Sequence, residues 1–154
     1  MNAFVSFLIN KRLQQIDLFR DNPRMAQLEV FHYLVQSARY TEWGRRYGYS
    51  EITDPDEFRK RVPVQDYEDL KLHVQRLRKG EQNLLWPTDV RWFAKSSGTT
   101  SDRSKYIPVS REALEDCHYK GGKDLIAFHY QQFPESKLYQ GMSLVVGGSS
   151  AIEP

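Results

Sequence analysis

Cysteine is almost missing from this sequence: Cys117 stands alone and can close no disulfide within the chain, which fits a reducing compartment. Long apolar runs are missing too, since no stretch approaches the roughly 20 residues needed to cross a bilayer. Met1 to Ile9 is apolar, but it has no basic leader and no small-residue cleavage site, so it does not read as a signal peptide. Nor is charge of one sign in excess. The 22 basic and 20 acidic residues leave +2, which excludes whole-molecule steering to nucleic acid or to an anionic membrane. These absences predict a soluble cytoplasmic protein whose partners are to be sought at local sites.

What is present supports a folded core. The 154 residues are 40% hydrophobic and 13% aromatic, long enough for one domain. The first half reads as helices. Residues 3 to 20 carry an apolar side of Phe4, Val5, Leu8, Ile9 and Ile16, which suits packing on the rest of the protein better than a membrane surface. Asn22-Pro23 starts a second helix, with Asn22 as the expected cap and Leu28, Phe31, Leu34, Val35 and Ala38 at helical spacing. A two-turn helix begins at Asp54-Pro55-Asp56-Glu57, whose Asp54 and Glu57 have capping-box spacing, and stops before Val62-Pro63. Another runs from Tyr67 to Lys79, buries Tyr67, Leu70, Val74 and Leu77, and ends at Gly80 as a left-handed cap.

The pattern changes near Trp86-Pro87. Val90 to Ala94 and Tyr106 to Val109 suit short strands, with a polar loop between them. Ser110 is the expected cap of a long helix whose Leu114, Cys117, Gly121, Leu125 and Phe128 share one face. Gly121-Gly122 in its middle predicts a kink or a close helix contact. Met142 to Val146 reads as a buried strand and Gly147 to Ser150 as a turn. The expected class is therefore α/β, with a helical lead-in over 1–88 and the start of an α/β layer over 89–154. The sheet is unfinished, which predicts a piece of a longer protein.

Several residue groups invite functional readings that the sequence does not favour. His32, His73, His118 and His129 are scattered and make no zinc set, so no metal ligand is assigned. Cys117 lacks the surroundings of a nucleophile, and Cys117 and His118 are expected at the edge of the core. Lys71, Arg76, Arg78 and Lys79 form a basic helix end that complements the helix dipole. Tyr40, Trp43, Tyr47 and Tyr49 are expected to fill a gap between helices.

The loop between the strands reads Ser96-Ser97-Gly98-Thr99-Thr100-Ser101-Asp102-Arg103-Ser104-Lys105. Its hydroxyls are hydrogen-bond donors, successive amides in such a turn make an anion-binding concavity, and Lys105 and Arg103 are cations. It is not the Gly-x4-Gly-Lys-Ser/Thr phosphate loop, nor the dinucleotide fingerprint. By residue chemistry alone it is equally an anion site or an ordinary polar hairpin loop.

Ser-Ser-Gly-Thr-Thr after a strand, with Lys105 seven residues beyond Gly98, is similar to the phosphate loop of the adenylate-forming superfamily. The long spacing and the ending Lys105-Tyr106-Ile107-Pro108-Val109 resemble the auxin-responsive (Gretchen Hagen type) acyl acid-amido synthetases and their bacterial relatives. Thr41-Glu42-Trp43-Gly44, Val62-Pro63-Val64 before Asp66-Tyr67-Glu68, and Leu85-Trp86-Pro87 agree. Ser101-Asp102 departs from the small or Gly residues usual there.

The resemblance implies the first strands and helix of such an enzyme's large domain. It implies ATP and Mg2+ as cofactors, and a carboxylic acid and an amino acid as small-molecule partners, joined through an acyl-adenylate. Ser96, Ser97, Gly98, Thr99, Thr100 and Ser101 would hold the β- and γ-phosphates, with Lys105 as the catalytic cation. An acyl-coenzyme A ligase of the same superfamily and a non-catalytic helical interaction module are the alternatives. Residues 1 to 154 alone are expected to be inactive.

Overall fold

The computed structural model describes residues 3–96, 104–138, 140–142 and 144, with the backbone alone for 3–5. Helices α1 (Ala3–Asp21) and α2 (Pro23–Ala38) follow one another with a single residue between them. Asn22 does not cap α2. Its side-chain amide donates instead to Leu18 O at 3.4 Å, so the tight junction spends Asn22 on the orphan carbonyls of α1. The two turns expected after Asp54 form as α4 (Pro55–Arg61), with Asp54 accepting from the amides of Asp56 and Glu57 at 2.8 and 2.9 Å. A reciprocal capping box forms at α5 (Tyr67–Arg78), between Asp66 and Asp69.

Sequence periodicity misses α3 (Glu42–Arg46), because five residues are too few to show a 3.6-residue repeat. Tertiary contacts hold it instead. Thr41, fully buried, donates to Ala38 O at 2.7 Å and accepts from Gly44 N at 2.9 Å. The α3 amides of Glu42 and Trp43 donate to Asn83 O and Leu84 O. A Cβ at Gly44 would stand 2.0 Å from Ala38 O, so the crossing of α2 and α3 admits only glycine there.

One core gathers Val35, Ala38, Trp43, Tyr49 and Ile52, with Phe31, Tyr47, Phe58 and Leu70 packed around it. The expected aromatic filling therefore forms, except that Tyr40 is exposed beneath Arg39. A second core joins Leu77, Leu84 and Val90, and Leu85 touches both. On α5 the buried residues are His73, Val74 and Leu77, while Tyr67 and Leu70 are half-buried. Gly80 ends α5 in the left-handed region at φ 93°, as its sequence position predicts.

Strands β1 (Val90–Lys95) and β2 (Tyr106–Ser110) pair antiparallel, Lys95 opposite Tyr106 and Val90 opposite Ser110, with an irregularity between Val90 and Trp92. Gln82 extends this ladder with its side chain, accepting from Val90 N and donating to Val90 O. Ser110 accepts from Ala113 N at 3.1 Å, as expected of a cap.

The following helix departs from expectation. Its first part, Ala113–Tyr119, is wound in wide π-type turns before α6 (Lys120–Gln132). Within α6 the expected face of Gly121, Leu125 and Phe128 keeps its helical spacing but is uncovered, and α6 buries Ala127 and Tyr130 instead. Cys117 and His118 are exposed too. Among the described residues a Cβ at Gly121 or Gly122 would meet nothing within 4 Å, so none of them makes the predicted close contact. The bend in regularity lies before these glycines. Helix α1 packs on α6, tied by the Arg12 guanidinium to both oxygens of Asp124.

The predicted strand at Met142–Val146 falls mostly outside the described residues; Met142 and Leu144 are exposed and belong to no strand. The turn at Gly147 to Ser150 also lies outside them. No described helix is long and apolar enough to cross a membrane.

Candidate phosphate-loop stem

Of the predicted loop residues, Ser96, Ser104 and Lys105 are described; Ser97, Gly98, Thr99, Thr100, Ser101, Asp102 and Arg103 lie outside the described residues. Ser96 and Lys105 meet at the base of the β1–β2 hairpin. Ser96 N donates to Lys105 O at 2.9 Å, and Lys105 N donates to Ser96 Oγ at 2.9 Å. A side-chain oxygen thus takes the place of a main-chain carbonyl and closes the stem one step above Lys95 and Tyr106. As an acceptor in this bond the Ser96 hydroxyl retains its own proton.

Helix α5 lies beside this stem. The Lys105 ammonium stands 5.6 Å from the centre of the Tyr67 ring, and the Tyr67 hydroxyl accepts from Tyr106 N at 3.1 Å. Arg78 places its guanidinium 3.7 Å from the centre of the Tyr106 ring, and the Lys95 ammonium is 6.0 Å from the same ring. Lys95, Lys105 and Arg78 therefore gather around two tyrosines at the mouth of the loop. Sequence reasoning placed Arg78 in a helix-end patch and Tyr67 in the core, because neither local pattern reports what the helix faces.

The rest of the basic helix end is differently engaged. Arg76 donates to both oxygens of Glu42 at 2.6 and 2.7 Å and also binds Glu81. Hydrogen bonding from Arg76 is the main cause that holds the Glu42 and Glu81 carboxyls below the usual range. His73 Nε2 lies 3.3 Å from Glu42, its ring stands edge-on to Trp43, and its Nδ1 has no partner. Past the hairpin, Glu112 accepts from Thr88 Oγ1 at 2.8 Å and Trp86 Nε1 at 3.2 Å. Burial pushes the Glu112 carboxyl up. The hydrogen bonds from its own amide, Thr88, Ser110 and Trp86 outweigh that and hold it low. Among the described residues no group of three or more potential metal ligands forms.

A mostly helical chain carrying one antiparallel hairpin is also the N-terminal part of a solved acyl acid amido synthetase. The structure of the GH3.15 acyl acid amido synthetase superposes with a TM-score of 0.70 at 26% identity, over 78% of this chain and 22% of that one. The profile described as the GH3 family N-terminal domain matches residues 12–151, and the chain belongs to the GH3 family. It is 31% identical over 106 residues to the indole-3-acetic acid-amido synthetase GH3.2 of Arabidopsis thaliana, covering 68% of this chain and 19% of that protein. It is 29% identical over 119 residues to the jasmonoyl-L-amino acid synthetase JAR6 of Nicotiana attenuata, covering 77% and 20%. The chain thus spans about a fifth of the length of the relatives it matches.

Proposed function

We propose that this chain is the N-terminal part of an ATP-dependent ligase that activates a carboxylic acid as its acyl-adenylate and transfers the acyl group to an amino acid. Residues 1–88 would form the helical lead-in, and residues 89–154 the start of the ATP-binding domain. The observation that carries this reading is the match of residues 12–151 to the family domain, which includes the Ser/Thr loop. The names of the relatives, an indole-3-acetic acid-amido synthetase and a jasmonoyl-L-amino acid synthetase, support the substrate class.

In the proposed reaction a substrate carboxylate oxygen attacks the α-phosphorus of ATP and the bond to pyrophosphate breaks. The amine nitrogen then attacks the acyl carbon, and AMP leaves. The first step concentrates negative charge on the departing pyrophosphate, which positioned donors and cations stabilise. Ser96, Ser97, Thr99, Thr100 and Ser101 would supply hydroxyl donors, Gly98 the close approach of the backbone, and Lys105 a point charge. Mg2+ bound with the nucleotide would neutralise further phosphate charge. The stem supports these roles, since Ser96 and Lys105 lie at its two sides and two more cations, Lys95 and Arg78, stand beside them. Placement in the cytoplasm belongs to the proposal and is tested by fractionation of the tagged full-length protein.

ATP–pyrophosphate exchange by the full-length protein, with a panel of carboxylic acids, tests the adenylation step. Exchange with at least one acid is expected; none with any acid would overturn the reading. Amide formation with an amino acid, against thioester formation with coenzyme A, then separates the synthetase from an acyl-coenzyme A ligase.

A further inference from the structure

Helix α5 grips the far stem of the loop through contacts on two consecutive residues. Lys105 directs both its amide and its carbonyl across the hairpin to Ser96. In an antiparallel pair the next residue then directs its amide outward, away from the neighbouring strand. An outward amide needs an acceptor, and for Tyr106 this is the Tyr67 hydroxyl. The same Tyr67 side chain offers its ring to the Lys105 ammonium. From the other end of α5, Arg78 stacks on the Tyr106 ring. One helix thereby holds the backbone of Tyr106, the ring of Tyr106 and the ammonium of Lys105.

We propose that Tyr67 and Arg78 are positioning residues for polyphosphate binding, setting where Lys105 stands before the nucleotide arrives. This rests on the reading that the hairpin loop holds the phosphates of ATP. An ammonium on a four-carbon stem loses much rotamer freedom when it meets a phosphate. A ring that already confines it, on a stem already fixed against α5, removes part of that loss and so tightens binding. Tyr67 acts through Lys105. Arg78 acts through Tyr106 and β2.

The test is calorimetric binding of Mg-ATP and of Mg-pyrophosphate to the full-length protein, beside steady-state kinetics. Tyr67→Leu is expected to weaken both ligands about tenfold, and Tyr67→Phe, which keeps the ring and loses the amide acceptor, about threefold. Arg78→Ala is expected to weaken them about fivefold, with Arg78→Lys recovering part. The KM for the carboxylic acid is expected to stay unchanged. In a Lys105→Ala background, Tyr67→Leu is expected to add nothing, whereas a merely structural residue would multiply the loss and disturb the acid KM as well. Wild-type affinity for pyrophosphate in Tyr67→Leu and Tyr67→Phe, or losses that multiply with Lys105→Ala, would overturn the proposal. If the variants show the expected binding losses but the wild type exchanges with no acid, the positioning role stands and the synthetase reading falls. If exchange proceeds and the variants bind normally, the reverse holds. A wild type that binds neither ATP nor pyrophosphate sinks both.

Discussion

Gly44 shows how much one residue settles. The would-be Cβ at 2.0 Å meets a main-chain oxygen, Ala38 O, and backbone cannot swing aside as a side chain can. Gly44→Ala is expected to cost on the order of 3 kcal/mol by overpacking. Urea unfolding followed by tryptophan fluorescence measures it, with Trp43 in the same core as the reporter; an unchanged midpoint would refute the close crossing. Thr41 makes the complementary case. Its hydroxyl satisfies Ala38 O and Gly44 N while the residue is fully buried. Thr41→Val keeps the volume and removes both bonds, so a loss of about 1–3 kcal/mol is expected. Thr41→Ser is expected to restore most of it, and equal losses from the two variants would count against the hydroxyl as the cause. His73 carries a cost of its own, since packing its ring on Trp43 with Nε2 toward Glu42 leaves Nδ1 without a partner.

Between elements, the network of Glu42, Arg76 and Glu81 ties the start of α3 to the end of α5 and to the turn after it. Both carboxyls have folded-state pKa values below their ordinary 4.5. The unfolded chain therefore binds more protons than the folded one in this window, and stability rises with pH there. The contribution is complete above the ordinary carboxyl value and is lost as pH falls below 4.5 through the depressed folded values. Glu112, also held low, adds to the same trend. Urea midpoints across this range should fall with pH, and less steeply in Glu42→Gln; equal slopes in wild type and variant would refute the link. The elements themselves were partly legible. Caps at Asp54 and Ser110 and the stop at Gly80 act within a few residues, so local chemistry reveals them. The buried side of α6 was not, because what packs on a helix decides which side is covered, and α1, far away in sequence, packs on α6.

Across the whole molecule, the 3–144 region presents exposed apolar side chains such as Trp92 and Ile107 on the hairpin and Leu125 and Phe128 on α6. The chain also spans only about a fifth of its relatives. A polypeptide limited to residues 1–154 is therefore expected to give no ATP–pyrophosphate exchange, while the full-length protein does. Turnover by the short polypeptide would show that the adenylation site is complete without later residues.

The sequence by itself determined the helices of α1, α2, α4 and α5, the two strands of the hairpin, and through Ser-Ser-Gly-Thr-Thr with a late Lys105 the family to which the domain match also assigns the chain. Those features depend on neighbours a few residues apart, and the alphabet records such neighbours directly. Only the tertiary structure decided that Gly44 lies under Ala38 O, that Arg76 joins Glu42 across 34 positions, and that Tyr67 and Arg78 close on the loop stem. Partners so far apart in sequence meet because two small cores set how the helices cross, and a crossing leaves no periodic trace in either helix alone.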